Sequence, residues 1–171
     1  MTGKKLQRSF IAAAIMVIAL GIAPSMLMAD DAGPKGIEGS WIGTVTPINP
    51  PGIPGMRSLI SFTRDGIAIE SRRLYVGESP FGPLMETTAH GAWASTGKNE
   101  FTVRFTFLTQ RGPISDGGSI GTDNITMQLT LDESGNTLTG TFVSEVRDND
   151  ENVLFVANGT VHSTRIQAPR K

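Results

Sequence analysis

The chain of 171 residues contains no cysteine, and this absence excludes several kinds of chemistry. Disulfide bonds, cysteine zinc sites and thiol catalysis all require a thiol, so the stability of the folded chain must come from packing. Histidine is also scarce, with two in the chain, His90 and His162. A metal site normally needs three or four ligands, and the spacing of these histidines indicates none. We therefore expect neither a metal nor another cofactor.

Clustered positive charge is missing beyond the first residues of the chain. Lys4, Lys5 and Arg8 are three of the 15 basic residues, whereas all 16 acidic residues lie after Ala29. Nucleic acids and anionic membrane surfaces attract clusters of basic residues, so neither is an expected partner. The glycine-rich phosphate-binding motifs are absent as well, and Gly118-Ser119-Ile120 does not resemble the nucleophile elbow of hydrolases, because no helix is predicted to follow it.

Residues 1–29 have the layout of a Sec-type signal peptide. Basic residues precede a charge-free and mostly apolar run at 9–23, Pro24 interrupts it, and Ala29 comes directly before two aspartates. The apolar run is shorter than the roughly 20 residues that a membrane span requires. We expect cleavage near Ala29, export to the periplasm or beyond, and no stable membrane insertion of the mature chain. An uncleaved N-terminal anchor is the alternative.

The rest of the chain divides into a polar leader at 30–38, one domain at 39–166 and a polar tail at 167–171. Within the domain, apolar residues alternate with period 2, and no segment shows helical periodicity. In the run FTVRFTFLT, for example, Phe101 and Phe105 share one face of a strand. Eight strands are predicted, at 40–46, 57–63, 67–73, 89–95, 100–109, 120–131, 137–146 and 153–165.

Turn residues connect most of these strands, and eight antiparallel strands favour closure into an up-and-down β-barrel. Closure removes the exposed edges of a sheet. A barrel of eight strands is filled by its own side chains or holds one small ligand. The loops at 47–56, 77–88 and 111–119 are expected to form its mouth. A two-sheet β-sandwich is the alternative all-β fold.

Gly39 and Trp41 begin the first predicted strand, and Arg165 ends the last. This arrangement resembles the calycin superfamily, which includes lipocalins, fatty-acid-binding proteins and avidins. In lipocalins a Gly-x-Trp motif opens the first strand, and an arginine near the end of the barrel packs across the tryptophan. The resemblance implies that Trp41 plugs the closed end and that Arg165 stacks on its indole. The chain is also similar to small secreted bacterial barrels of unassigned function.

Large apolar side chains are the candidate ligand-binding residues, because pockets for small molecules are mostly apolar. They are Trp41, Trp93, Phe105, Phe107, Phe142 and Phe155. Small residues are interleaved with these large ones, and they either fit the taper of a filled barrel or leave room for a ligand. This smaller set comprises Gly43, Ala92, Gly140, Ala157 and Gly159.

A few polar groups are candidates for acid–base chemistry, which needs a carboxylate or histidine in a dry cavity. Glu70 lies on the strand face opposite Ile69 and is expected to face water. Glu86 is expected in a loop at the mouth, near His90. Arg72 and Arg73 are adjacent and lie on opposite faces, so one of the two would point inward, with a charge on the rim as the alternative.

These observations favour a binding protein rather than an enzyme: an exported β-barrel that holds a small apolar ligand. One alternative is a small barrel cyclase or isomerase that acts on an apolar substrate through Glu86, His90 or an inward arginine. The other is a filled structural barrel whose loops contact a protein partner. The sequence identifies neither the ligand nor the oligomeric state.

Overall fold

A computed structural model describes residues 36–72, 84–111 and 119–169 of the chain. These three segments are all-β. They contain no helix that is long and apolar enough to span a membrane. Their strands are β1 (Gly39–Asn49), β2 (Met56–Phe62), β3 (Ile67–Arg72), β4 (Leu84–Glu86), β5 (Ala89–Gly97), β6 (Glu100–Arg111), β7 (Ser119–Leu131), β8 (Thr137–Asp148) and β9 (Val153–Arg165).

Eight of these strands close into an antiparallel up-and-down barrel, in the order β1-β2-β3-β5-β6-β7-β8-β9. The ring closes where β9 returns to β1, with Val161 opposite Val45. The extra strand, β4, lies along the far end of β6, with Glu86 opposite Thr109. Nearer its start, β6 pairs with β5 instead. The predicted eight-stranded barrel is therefore confirmed, and the β-sandwich alternative is wrong.

All three predicted mouth loops contain strand residues, although the third, 111–119, contributes only the ends of β6 and β7 and otherwise lies outside the described residues. The first strand continues to Asn49, so Pro47 is part of β1, where it is buried and pairs with Gly159 of β9. Pairing between β1 and β2 stops at Val45, which leaves Pro47 with a single neighbouring strand. A proline is tolerated at such an edge because its missing N–H breaks no ladder there. The second predicted loop contains β4.

The core follows the alternation seen in the sequence. On β6, Phe101, Val103 and Phe105 are buried, and Thr102 and Arg104 between them lie on the outer face. The inner faces of β6, β7 and β8 supply most of one continuous apolar cluster, to which the half-buried Trp93 also packs. Ile37 belongs to this cluster although it lies in the segment predicted as a polar leader. Much of the barrel is therefore filled by its own side chains.

The glycines on the inner wall mark close approaches between strands and do not leave empty space. A Cβ atom on Gly140 would clash with the carbonyl oxygen of Gln128, and one on Gly159 would clash with that of Thr46. Glycine permits this contact because it has no side chain, and the strands coil tightly at these points. Ala92, which was expected on the inner face with them, is exposed on the outer face of β5, so that placement was wrong.

Candidate functional site

One end of the barrel is sealed by Trp41 and Arg165, and we call it the closed end. The guanidinium carbon of Arg165 lies 4.2 Å from the centre of the Trp41 ring system, so the expected stacking contact is present. Arg165 also donates hydrogen bonds from its side chain to the backbone carbonyls of Gly36, Glu38 and Gly135. Trp41 is fully buried. The arginine thus ties the start of β1 to the turn between β7 and β8.

Two further residues complete this closed end. The indole N–H of Trp41 donates to the carbonyl of Ile37 at 2.8 Å, which holds Ile37 across the base of the barrel. Gly39 has a φ of +116°, and a Cβ atom there would lie 3.0 Å from Nη1 of Arg165. Gly39 therefore supplies both a backbone conformation that other residues rarely adopt and the space that Arg165 occupies.

The six predicted ligand-binding residues separate into two groups. Trp41, Phe105 and Phe142 pack in the apolar core, and Phe107 belongs to the same cluster. Trp93 makes edge-to-face contacts with Phe62 and Phe101, and its indole N–H donates to Thr63 near the closed end. Phe107 and Phe155 lie farther along the strands, toward the end of the barrel where β3 and β6 finish, which we call the open end. Phe107 is fully buried and Phe155 is half-buried.

A buried group of charged side chains occupies the inner wall toward the open end. We call it the Arg72 cluster; it consists of Arg72, Glu70, Glu86 and Asp123. Arg72 donates from Nε and Nη2 to the two carboxylate oxygens of Glu86, at 2.8 and 3.0 Å. Its Nη2 also donates to Asp123 at 3.0 Å, and its Nη1 lies 3.9 Å from Glu70. All four side chains are at most 4% exposed.

Three different strands bring these charges together. Glu70 and Arg72 are alternate residues at the end of β3 and so point to the same inner face. Glu86 comes from β4, and Asp123 comes from the beginning of β7. The guanidinium carbon of Arg72 also lies 4.4 Å from the ring centre of Phe107, a cation–π contact on the apolar side of the cluster.

Hydroxyl groups satisfy part of the cluster. Ser58 donates to Glu70 and Ser144 donates to Asp123, both at 2.7 Å. Two buried oxygens, Oε2 of Glu70 and Oγ1 of Thr109, have no hydrogen-bond partner within the described residues. Thr109 is fully buried and lies directly opposite Glu86 in the β4–β6 pairing. Polar atoms with unused hydrogen-bonding capacity therefore remain on this part of the inner wall.

Burial changes the proton affinity of the carboxyl groups in the cluster. Desolvation raises the pKa of Glu86 to about 7, because it outweighs the attraction of Arg72, and the neighbouring carboxyl group of Asp123 acts in the same direction. Desolvation likewise raises the pKa of Glu70. The three carboxylates around Arg72 raise the pKa of its guanidinium further despite its burial, so it stays charged. The cluster can thus gain or lose a proton near neutral pH.

The structure corrects three expectations about these polar residues. Glu70 does not face water: it is fully buried, whereas Ile67 and Ile69 are the exposed residues of β3. The reason is that the inner face of β3 is polar toward its end, so the apolar residues do not identify it. Glu86 lies in a strand and not in a loop. Arg72 is the inward-pointing arginine, and the rim-charge alternative is wrong for it.

The remaining candidates for chemistry lie outside the barrel. His90 and His162 are both exposed on outer faces. Glu145 is 40% exposed and pairs with Arg147 on the outer face of β8. Among the described residues, no group of three or more histidine, aspartate or glutamate side chains is arranged to hold a metal ion.

Sequence reasoning missed Asp123, Ser144 and Thr109, although a signal for them exists. Each is a polar residue at an inward position of a strand that is otherwise apolar on that face, as Asp123 is before Ile125 and Met127. All three lie toward the same end of the barrel as Arg72. A search for polar residues at inward positions near one end of the strands would have found them.

An open groove of about 490 Å³ lies against the outer side of β1, β2 and β3. Its volume is within the range of small-molecule sites. Two of its lining residues, Ser58 and Arg72, also belong to the buried polar network, but their side chains are buried on the inner side of the wall. The lining is formed by Ile42, Arg57, Ser58, Leu59, Ser71 and Arg72.

The fold and this site define an eight-stranded up-and-down β-barrel with a sealed apolar end and an internal charge cluster. Comparisons of the chain with protein-family models, with curated proteins and with solved structures gave no match. The resemblance to calycins rests on Gly39, Trp41 and Arg165, together with the number of strands in the barrel.

Proposed function

We propose that this protein is an exported binding module that holds a small, mainly apolar ligand in the open half of its barrel. The observation that carries the proposal is the contrast between the two halves of the interior. The closed half is packed with apolar side chains under the Trp41–Arg165 seal. The inner wall of the open half instead carries the Arg72 cluster, with two buried polar atoms that lack partners among the described residues.

A purely structural role explains the Arg72 cluster poorly. Transferring charges out of water is costly, and well-packed apolar residues of similar volume often stabilise a fold as well as a buried ion pair does. Carboxyl groups with strongly shifted pKa values are concentrated at functional sites. The cluster therefore supports a role in recognition, with its polar groups fixing the orientation of a ligand.

The apolar part of such a ligand has suitable contacts beside the cluster. Of the residues predicted to bind it, Phe107 and Phe155 remain candidates, because Phe107 contacts Arg72 and Phe155 is half-buried near the open end. Val146 pairs with both Asp123 and Phe155, and Leu84 is buried on β4. Trp41, Trp93, Phe105 and Phe142 would stabilise the barrel without touching the ligand.

Export is part of the proposal and rests on the signal-peptide layout of residues 1–29. Members of the calycin superfamily, which the chain resembles, bind small apolar molecules inside similar barrels. A carrier or binding protein of the periplasm or the extracellular space fits both features.

A cyclase or isomerase acting on the same ligand is the second candidate. One observation favours it: Glu86 and Asp123 accept hydrogen bonds from the same nitrogen of Arg72, and the pKa of Glu86 is raised to about 7 by burial. A carboxyl group that titrates near neutral pH suits general acid–base catalysis. His90 would have no part in such a reaction, because it lies on the outer face.

Binding of the neutral apolar dye N-phenyl-1-naphthylamine to the exported, mature protein tests the proposal. We expect a saturable rise in dye fluorescence for the wild type and a clear loss of affinity for F155S, which removes an apolar contact at the open end. V156S is the matched control, because Val156 is the next residue on β9 and points outward at 45% exposure. A failure of the wild type to bind the dye, or an equal loss in both variants, would overturn the proposed site.

A further inference from the structure

We infer that the Arg72 cluster binds an organic monocation, namely the protonated amine of a ligand whose remaining part is apolar. This inference rests on the proposed binding function and names the class of ligand. Three observations lead to it: the balance of charge in the cluster, the occupation of its arginine, and the two buried oxygens without partners.

The charge balance excludes an anionic ligand. Three carboxyl groups, those of Glu70, Glu86 and Asp123, surround a single guanidinium. When all are ionised, the buried site has an excess of negative charge that no other described cation neutralises within ion-pair distance. Burying such an excess is costly unless a proton or another cation compensates it. An anionic ligand would add to this excess, whereas a monocation would reduce it by one charge.

Arg72 is already occupied, so it is not available to grip a carboxylate or phosphate. Its Nε and Nη2 atoms donate to Glu86 and Asp123, and its Nη1 atom faces Glu70. The face of the guanidinium rests on Phe107. Recognition of an anion by arginine depends on free N–H groups in a fork. Here the N–H groups of Arg72 are already directed at the described carboxylates, and the arginine holds those carboxylates in place.

The unpartnered oxygens provide the independent observation. Oε2 of Glu70 and Oγ1 of Thr109 are both buried on the inner wall and accept no hydrogen bond from any described residue. Thr109 is not acidic, and it lies opposite Glu86 on the neighbouring strand. An ammonium group has three donors and no acceptor, so it matches a set of vacant acceptors. A ligand hydroxyl would satisfy fewer of them and would leave the charge uncompensated.

Binding would replace a proton with the ligand cation. Below neutral pH the carboxyl group of Glu86 carries a proton; on binding, that proton leaves to solvent and the ammonium keeps its own charge. The groups that act on Glu86 are Arg72 from β3 and Asp123 from β7, and Thr109 of β6 lies opposite it in the strand pairing. Because burial raises the pKa of Glu86 to about 7, the affinity for the amine should rise between pH 6 and pH 8. An aliphatic amine, with a pKa of about 10, stays protonated throughout this range.

Calorimetric titration with three matched ligands tests the inference: 3-phenylpropylamine, 3-phenylpropan-1-ol and 3-phenylpropanoate. For the mature wild type at pH 8 we expect the amine to bind at least tenfold more tightly than the alcohol, and the carboxylate to bind more weakly than both. The preference for the amine should shrink at pH 6. In E86Q it should disappear, while E145Q, which changes an exposed carboxylate on β8, should keep it.

The outcomes separate this inference from the proposed function. If the amine binds no better than the alcohol to the wild type, or does not bind, the inference is overturned. The binding function itself fails only if the neutral dye also does not bind. E70Q is a second variant in case E86Q does not fold, as judged by circular dichroism; it keeps the hydrogen-bonding shape of the side chain and should also reduce the preference. An unchanged preference in a folded E86Q or E70Q protein would contradict the inference.

Discussion

Arg72 and Glu86 form a two-point ion pair inside the barrel, in which Nε and Nη2 of the arginine lie 2.8 and 3.0 Å from the two carboxylate oxygens. The pair connects the end of β3 to β4, a strand of three residues whose backbone pairs with β6. The guanidinium also holds Asp123 of β7. A single side chain thus fixes the relative positions of three strands at the open end of the barrel.

Removal of this arginine should be strongly destabilising at alkaline pH. R72A leaves three buried carboxyl groups without their cation, and loss of one partner from a buried pair typically costs about 3–5 kcal/mol. The loss should be smaller at pH 5, where a proton neutralises Glu86. Urea unfolding of the wild type and R72A at pH 5 and at pH 8 measures the loss of stability at each pH. R147A is the control, because Arg147 pairs with Glu145 on the outer face, where an ion pair contributes about 0–1 kcal/mol.

The stability of the wild type should fall as the pH rises from 5 to 8. The pKa of Glu86 is raised from 4.5 to about 7 in the folded state. An acid whose pKa is higher in the folded state contributes stability below its unfolded pKa, and this contribution is lost as the pH rises through the folded value. Glu70 shifts in the same direction. The midpoint of urea unfolding, measured at half-unit steps of pH, should decrease.

E86Q supplies the control for this pH dependence, because glutamine cannot titrate. The urea midpoint of E86Q should therefore change less between pH 5 and pH 8 than that of the wild type. The exposed carboxyl groups of Asp132 and Asp148 have lowered pKa values and would affect stability only at more acidic pH. A wild-type midpoint that increases from pH 5 to pH 8 would show that burial does not dominate the titration of the cluster.

R165A should lower stability while keeping the barrel. The variant loses the stacking contact with Trp41, which is worth about 0.5–2 kcal/mol, together with hydrogen bonds to three backbone carbonyls. We expect the urea midpoint to fall with little change in the circular dichroism spectrum. R165K should restore little, because an ammonium lacks the planar fork that reaches several carbonyls at once. A midpoint equal to that of the wild type would remove the structural basis for the calycin resemblance.

G39A should also destabilise the closed end. Gly39 has a φ of +116°, where a non-glycine residue costs on the order of 1–3 kcal/mol, and the added methyl group would crowd Arg165. S40A provides the control at the neighbouring exposed position of β1. Thermal unfolding of both variants distinguishes a local backbone requirement from general sensitivity of this strand. Equal midpoints for the two variants would mean that the conformation at Gly39 is not required.

The fold was predictable because inward and outward residues alternate clearly on most strands, as Phe101, Val103 and Phe105 do on β6. The contact between Trp41 and Arg165 was predictable from a motif, since the two residues mark the beginning and the end of the closed sheet. The Arg72 cluster was not predictable in this way. On β3, Ile67 and Ile69 are apolar yet exposed, while the side chains of Glu70 and Arg72 are buried, so the rule that places apolar residues inside selects the wrong face.

The physical reason is that burial of Glu70 depends on partners from distant parts of the chain. Arg72 and Ser58 compensate its charge, and register between β2 and β3 determines that these groups meet. A single strand of six residues carries no information about that register. The same holds for Thr109 and Glu86, which come together only because β4 pairs with the end of β6.

A native mass spectrum of the mature, exported chain, recorded with and without 3-phenylpropylamine at pH 8, tests the central claim most directly. The account predicts one bound molecule per barrel, released when the protein is denatured, and much lower occupancy for F155S than for V156S. A bare protein mass for the wild type in both samples, together with no binding of the neutral dye, would show that the barrel is filled, and it would contradict a binding function in its open half.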